Sequence, residues 1–277
     1  MELDTKLARL RAVLGNLDSA LVAFSGGVDS TFLLRVAHDV LAARCVALTT
    51  VSAVTPEEDV VEAKAFAAAL GVEHVVRDTN ELAIPGYVNN APDRCYFCKD
   101  NLFALCTAEA SRRGISAIVD GTNVDDLADH RPGLRAAVEL GVRHPLVEAG
   151  LTKADVRAAS RLLGLATWDR PASPCLSSRI PYGTQITQER LAQVAAAEHV
   201  LRQHGFRELR VRCHDQIARI EIPPDAMAAL LAPETRTAVT EALGRLGFRY
   251  VTLDLKGFRS GSLNEGLPPP KHEGPEG

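Results

Sequence analysis

The chain of 277 residues contains no apolar run approaching the roughly 20 residues that span a bilayer. Its opening, Met1-Glu2-Leu3-Asp4-Thr5-Lys6, lacks the basic and apolar blocks of a signal peptide. A cytoplasmic protein without a membrane partner is therefore expected. Basic excess is missing too: 31 Lys and Arg face 35 Asp and Glu, a net charge of −4, so no general attraction draws the chain to nucleic acid. There is no second Cys-x-x-Cys to complete a zinc site with Cys95-Tyr96-Phe97-Cys98. No internal repeat is present. Six cysteines in a reducing compartment point to core, metal or catalytic roles rather than disulfides.

What is present is an ordinary soluble composition, 46% hydrophobic, enough for one large or two smaller domains. The most informative stretch is Ser25-Gly26-Gly27-Val28-Asp29-Ser30, after the apolar Leu21-Val22 and before Thr31-Phe32-Leu33-Leu34. It reads as a strand turning sharply into a helix. The glycines permit positive φ and close backbone approach, and Asp29 and Ser30 are expected as helix caps. Such a turn aims amides and a helix dipole at one point, a seat for phosphate. It is neither a Walker A loop nor a dinucleotide fingerprint, because Gly-Lys-Ser/Thr and Gly-x-Gly-x-x-Gly are both absent from it.

Along the chain, helical spacing at 3–17 precedes a strand at 20–24, a helix at 30–43, a strand at 45–51, a helix from Thr55-Pro56 to Leu70 and a strand at 73–77. A helix from Arg94 to Arg113, a strand at 115–119 and a helix from 152 to Gly164 follow. This alternation predicts an α/β fold with a covered parallel sheet over residues 1–165, whose ligands bind beyond the carboxyl ends of the strands. Thr50 and Asp120-Gly121-Thr122-Asn123 fall at such ends. In the acidic run 120–129, Asp125 and Asp126 read equally as helix caps or magnesium neighbours, and His130 as a local hydrogen-bonding residue. Residues 166–186, with three prolines, read as a loop bearing Cys175, whose thiolate the nearby Arg179 would favour. Residues 187–263 order as helix, two strands, helix and strand, a small α+β domain, with Arg210 and Arg212 on one strand face and His214 and Glu221 nearby. A disordered tail is expected at 264–277. Cys45, Cys106 and Cys213 read as packing residues, while Cys95 and Cys98 could be a redox couple, half a zinc site, cluster ligands or core.

The first motif resembles the PP-loop of ATP pyrophosphatases. Together with Asp120-Gly121-Thr122-Asn123, Arg131-Pro132-Gly133, Pro174-Cys175-Leu176-Ser177-Ser178-Arg179 and Gly257-Phe258-Arg259-Ser260-Gly261-Ser262, the pattern resembles the LarE family over nearly the whole chain. That resemblance implies an ATP-dependent, AMP-forming sulfur transferase. Its substrate would be pyridinium-3,5-biscarboxylic acid mononucleotide, adenylated on a carboxylate and converted to a thiocarboxylate for a nickel-pincer nucleotide. It implies ATP contacts at Ser25, Gly26, Gly27, Asp29, Ser30, Thr50, Gly121 and Arg131, with Mg2+ on Asp29, and a homo-oligomer. Arg210 and Arg212 would hold the substrate phosphate, with Glu198 and Glu221 in the same pocket. Sulfur would come from Cys175 itself or from sulfide on a [4Fe-4S] cluster held by Cys95, Cys98 and Cys175; three thiolates leaving one iron open favour the cluster. A tRNA thiolase, an ammonia-using synthetase of the NAD-synthetase type and a non-enzymatic nucleotide-binding regulator are the competing readings.

Overall fold

The computed structural model describes residues 2–128, 132–171, 174–259 and 261–266. Arg131, Asp129, His130 and the tail beyond Gly266 lie outside these. The chain divides into two compact units, Met1–Cys175 and Leu176–Gly277, with the division inside the proline-rich loop.

The first unit is built on a parallel four-stranded sheet in the order β3-β2-β1-β4: β1 (Ala20–Ala23), β2 (Cys45–Val51), β3 (Glu73–Asp78) and β4 (Ala117–Asp120). All four residues of β1 are buried, as a central strand covered on both faces requires. One face carries α1 (Leu3–Gly15), α2 (Val28–Leu41) and, later in the chain, α8 (Lys153–Leu162) over a core of Leu10, Phe32, Leu34 and Val156; on the other, Phe103, Cys106 and Ala136 pack against Leu21 and Leu48. Those residues belong to α5 (Arg94–Arg113) and α6 (Gly133–Glu139); α3 (Glu57–Leu70), α4 (Pro85–Val88) and α7 (Pro145–Glu148) complete the unit. The chain runs outward from β1 through β2 to β3 and then returns to the other side of β1 as β4. The strand order therefore reverses at β1, and a crevice opens where the carboxyl ends of β1 and β4 part.

The second unit is α+β. Strands β5 (Arg210–His214) and β6 (Ile217–Glu221) pair antiparallel, and β7 (Tyr250–Leu253) adds parallel to β6. Helices α9 (Gln188–Gln203), α10 (Met227–Leu231) and α11 (Pro233–Arg245) belong to the same unit, whose buried residues include Val194, Leu201, Val211, Ile220 and Leu243. Ser262–Gly266 forms a short 3-10 turn, so order extends past residue 264, where the tail was expected to begin.

Helix starts differ from the expected chemistry in two places. Pro56, not Thr55, is the N-cap of α3, and the Thr55 hydroxyl accepts from the Ser52 N–H instead. In α2 the N-cap is Gly27 and no side chain caps it, so Asp29 and Ser30 lie inside the first turn. The first amides of α2 therefore have no side-chain cap.

Candidate functional site

The turn between β1 and α2 is tied up by its own serines. The Ser25 N–H donates to Ser30 Oγ at 3.3 Å, the two hydroxyls meet at 3.1 Å, and Ser30 Oγ donates to the Gly27 carbonyl at 3.2 Å. Gly26 has φ +74°, a left-handed conformation, and a Cβ there would stand 3.2 Å from the Ala63 Cβ. Gly121, just past β4, is confined more severely. A Cβ on it would stand 2.8 Å from the Ser30 N and 3.0 Å from the Asp29 C, so only glycine lets the β4 loop close on the first turn of α2.

Beside this turn, the Lys153 Nζ pairs with Asp29 Oδ2 and the Asn123 Nδ2 donates to Asp29 Oδ1 at 3.3 Å. Lys153 opens α8 behind Thr152, whose hydroxyl accepts from the Asp155 N–H while the Asp155 carboxylate accepts from the Thr152 N–H, a reciprocal cap. Asp125 accepts from the Lys153 N–H at 2.9 Å and Asp126 from the Asn123 N–H at 3.0 Å. Both acids thus act as loop caps. Buried Asp120 accepts from His144 Nδ1 at 2.7 Å and from the Thr122 N–H and hydroxyl. Burial pushes its carboxyl up, but the His144 bond, the Lys99 charge and the Thr122 N–H together bring it below the usual range. Thr50 stands half-buried near the end of β2.

Lys153 was read from sequence only as part of a helix start, and Asn123 was not given a role. No local pattern marks a lysine that meets Asp29 from 124 residues away.

Cys95 is exposed on the first turn of α5, and Cys98 and Cys175 are half-buried. Although Cys95 is exposed as a residue, desolvation of its thiol and then the neighbouring Cys175 raise it, against the pull of Arg94 and Lys99; the same two causes push Cys98 up to about 12. Cys175 therefore lies within electrostatic range of both. Among the described residues no three His, Cys, Asp or Glu side chains gather closely enough to hold a single metal ion. The donor chemistry nonetheless suits a cluster, a larger body than an ion, bound by thiolates. For magnesium the site offers one carboxylate, Asp29, beside uncapped amides, which matches its habit of taking few protein ligands plus phosphate oxygens. Cys45, Cys106 and Cys213 are buried.

In the second unit, Arg212 is clasped by Glu221 through Nε at 3.0 Å and Nη2 at 2.9 Å, and it donates to the Ser262 hydroxyl at 2.6 Å and to the Ser178 carbonyl. Arg179 is held likewise by Glu198 at 2.7 and 3.1 Å. The guanidinium expected to activate Cys175 is thus already matched to a carboxylate. Arg210 differs. It is buried, lies over the Phe258 ring at 4.6 Å and donates to the Arg259 carbonyl, and it makes no carboxylate pair among the described residues. Burial first, then Arg212 and Arg179, lower its pKa to about 10. The Glu221 and Glu198 carboxylates act on it in the opposite direction. His214, on the same strand face, is held below its usual range by burial and by Arg219 and Arg212.

The NAD synthase family model matches residues 10–104, which contain the β1 to α2 turn. A protein of Lactiplantibacillus plantarum, pyridinium-3,5-bisthiocarboxylic acid mononucleotide synthase, is 43% identical over 96% of this chain and 96% of its own length. The chain belongs to the LarE family. It is accordingly an enzyme, an ATP-dependent sulfur transferase built on a PP-loop domain. Uncharacterized relatives of LarE length match as well: one from Synechocystis is 46% identical over 96% of this chain and 99% of its own, and one from Methanocaldococcus jannaschii is 28% identical over 87% and 90%. No helix among the described residues is long and apolar enough to cross a membrane.

Proposed function

We propose that the chain adenylates a carboxylate of pyridinium-3,5-biscarboxylic acid mononucleotide and replaces the AMP with sulfur, yielding a thiocarboxylate. A carboxylate resists nucleophiles because it offers no good leaving group. Its oxygen attacks the α-phosphorus of ATP, the bond to the bridging oxygen breaks, and an acyl adenylate and pyrophosphate result. The uncapped amides of α2 and the Lys153 ammonium stabilise the charge that collects on pyrophosphate, while Ser25 and Ser30 hydrogen-bond phosphate oxygens and Asp29 presents one carboxylate to Mg2+. Gly26, Gly27 and Gly121 allow the close approach. Thr50 and Arg131 complete the nucleotide contacts in this reading. Arg210, a buried cation with no carboxylate pair among the described residues, takes the substrate phosphate; Glu221 and Glu198 hold Arg212 and Arg179.

One observation supports the reading: the α2 N-terminus, which no side chain caps, and the thiols of Cys95, Cys98 and Cys175 belong to one folding unit. Activation and sulfur chemistry thus share a domain. Cys95, Cys98 and Cys175 would hold a [4Fe-4S] cluster, whose open iron supplies a place for exchangeable sulfide. A second version is favoured by the half-exposed Cys175. There its thiolate attacks the acyl carbon, AMP leaves, and loss of the Cys175 Cα proton with cleavage of its Cβ–S bond releases the thiocarboxylate and leaves dehydroalanine. A cytoplasmic homo-oligomer belongs to the same reading. Anaerobic purification with iron and sulfide analysis separates the versions: stoichiometric iron and repeated turnover support the cluster, whereas iron-free protein that transfers one sulfur and loses the Cys175 thiol mass supports self-sacrifice. A tRNA thiolase would bind tRNA, and an ammonia-using synthetase would keep its activity in Cys175→Ala.

A further inference from the structure

Arg170 ties the turn between β1 and α2 to the neighbouring helix α3. Its Nη1 donates to the Gly26 carbonyl at 3.2 Å and lies 2.6 Å from Glu62 Oε2, and its Nη2 donates to Asp59 Oδ1 at 2.5 Å. Asp59 and Glu62 sit on the first turns of α3, so one guanidinium ties the phosphate loop to the helix packed beside it. That guanidinium is mostly enclosed, with 19% of its side chain exposed. The backbone on which it rides is fixed in turn: Arg157 of α8 donates to the Trp168 carbonyl at 2.9 Å and to the Arg170 carbonyl at 2.8 Å, and Arg161 lies 5.0 Å from the Trp168 ring.

We propose that Arg170 is a positioning residue that holds the Gly26 peptide in register for phosphate. The Gly26 carbonyl is drawn toward the guanidinium and away from the phosphate seat, which leaves the N–H side of the loop facing the nucleotide. Lysine could keep the charge, but its single ammonium cannot reproduce the planar fork that engages three acceptors.

The inference rests on the adenylation reading above. Its test uses anaerobically purified full-length protein with ATP, Mg2+, the pyridinium mononucleotide and sulfide, and measures AMP formation against ATP concentration. Arg170→Ala is expected to raise the KM for ATP about tenfold, the scale for losing hydrogen bonds to a charged group. Arg170→Lys, which retains the charge and guards against a variant that does not fold, should show the same effect in smaller measure. A merely structural role would lower the amount of active enzyme and leave the KM unchanged. A wild-type KM for ATP in folded Arg170→Ala or Arg170→Lys overturns the proposal. Wild-type protein that makes no substrate-dependent AMP overturns the adenylation reading and the anchor with it.

Discussion

At the scale of single residues, the site depends on how close two backbones come. Gly121 has no room for a methyl group because the obstacles are the Ser30 N and Asp29 C rather than the tip of a flexible side chain. Gly121→Ala should therefore displace the first turn of α2 and weaken ATP binding at least about tenfold, corresponding to about 1.4 kcal/mol; calorimetric titration of ATP checks this, and unchanged affinity would mean that the nucleotide does not use that turn. Arg210 supports an equally specific expectation. If it binds the substrate phosphate, Arg210→Gln raises the KM for the mononucleotide by about tenfold, the loss of one or two charge-assisted bonds, and leaves the KM for ATP unaltered. Equal effects on both substrates would assign Arg210 to structure. Sequence reasoning singled out Arg210 and Arg212 together because they alternate on a strand, but it could not tell them apart. The carboxylate that saturates Arg212 comes from β6 and the ring that supports Arg210 from residue 258, and neither partner is local.

At the scale of elements, the order of helices and strands was legible wherever an apolar period ran long enough. Strand β2 appears over the residues its pattern outlined, 45–51, and β1 and β3 end within one residue of theirs. The short helices α4, α6 and α7, of 4, 7 and 4 residues, were not foreseen, because so short a segment carries too little periodicity to declare itself. Their shape is set by packing. The start of α8 is set by local chemistry. Its reciprocal Thr152 and Asp155 cap is reinforced by the Lys6 ammonium on Asp155. Burial opposes ionisation there, but Lys6 and the Thr152 N–H and hydroxyl outweigh it and bring Asp155 from 3.8 down to about 2. A carboxyl depressed in the folded state contributes stability that is fully present above its unfolded value and is lost as pH falls toward about 2. Asp155→Asn should cost about 1–2 kcal/mol at neutral pH, the scale of a lost cap. The difference from wild type should shrink between about pH 4 and pH 2, as followed by urea midpoints across that range; a difference independent of pH would locate the loss in packing. Because α8 carries Lys153 to Asp29, the same variant tests whether a firm helix start matters for ATP.

At the scale of the whole molecule, the division of labour follows the two units. The first holds the phosphate loop and all three candidate sulfur ligands; the second holds the arginine and carboxylate cluster. The motifs at 25–30 and 174–179 made the family legible because each carries chemistry in consecutive residues. Lys153 and Arg170 were not legible, since each acts on a loop more than a hundred residues distant. The most direct measurement is mass spectrometry of the products when the pyridinium biscarboxylate mononucleotide is incubated anaerobically with ATP, Mg2+ and sulfide, using wild-type protein and Cys175→Ala in parallel. The account predicts a product in which sulfur has replaced oxygen in a carboxylate, with AMP and pyrophosphate, for wild type, and AMP and pyrophosphate without sulfur in the product for Cys175→Ala. Sulfur incorporation undiminished in Cys175→Ala, or wild-type turnover that never forms AMP, would contradict it.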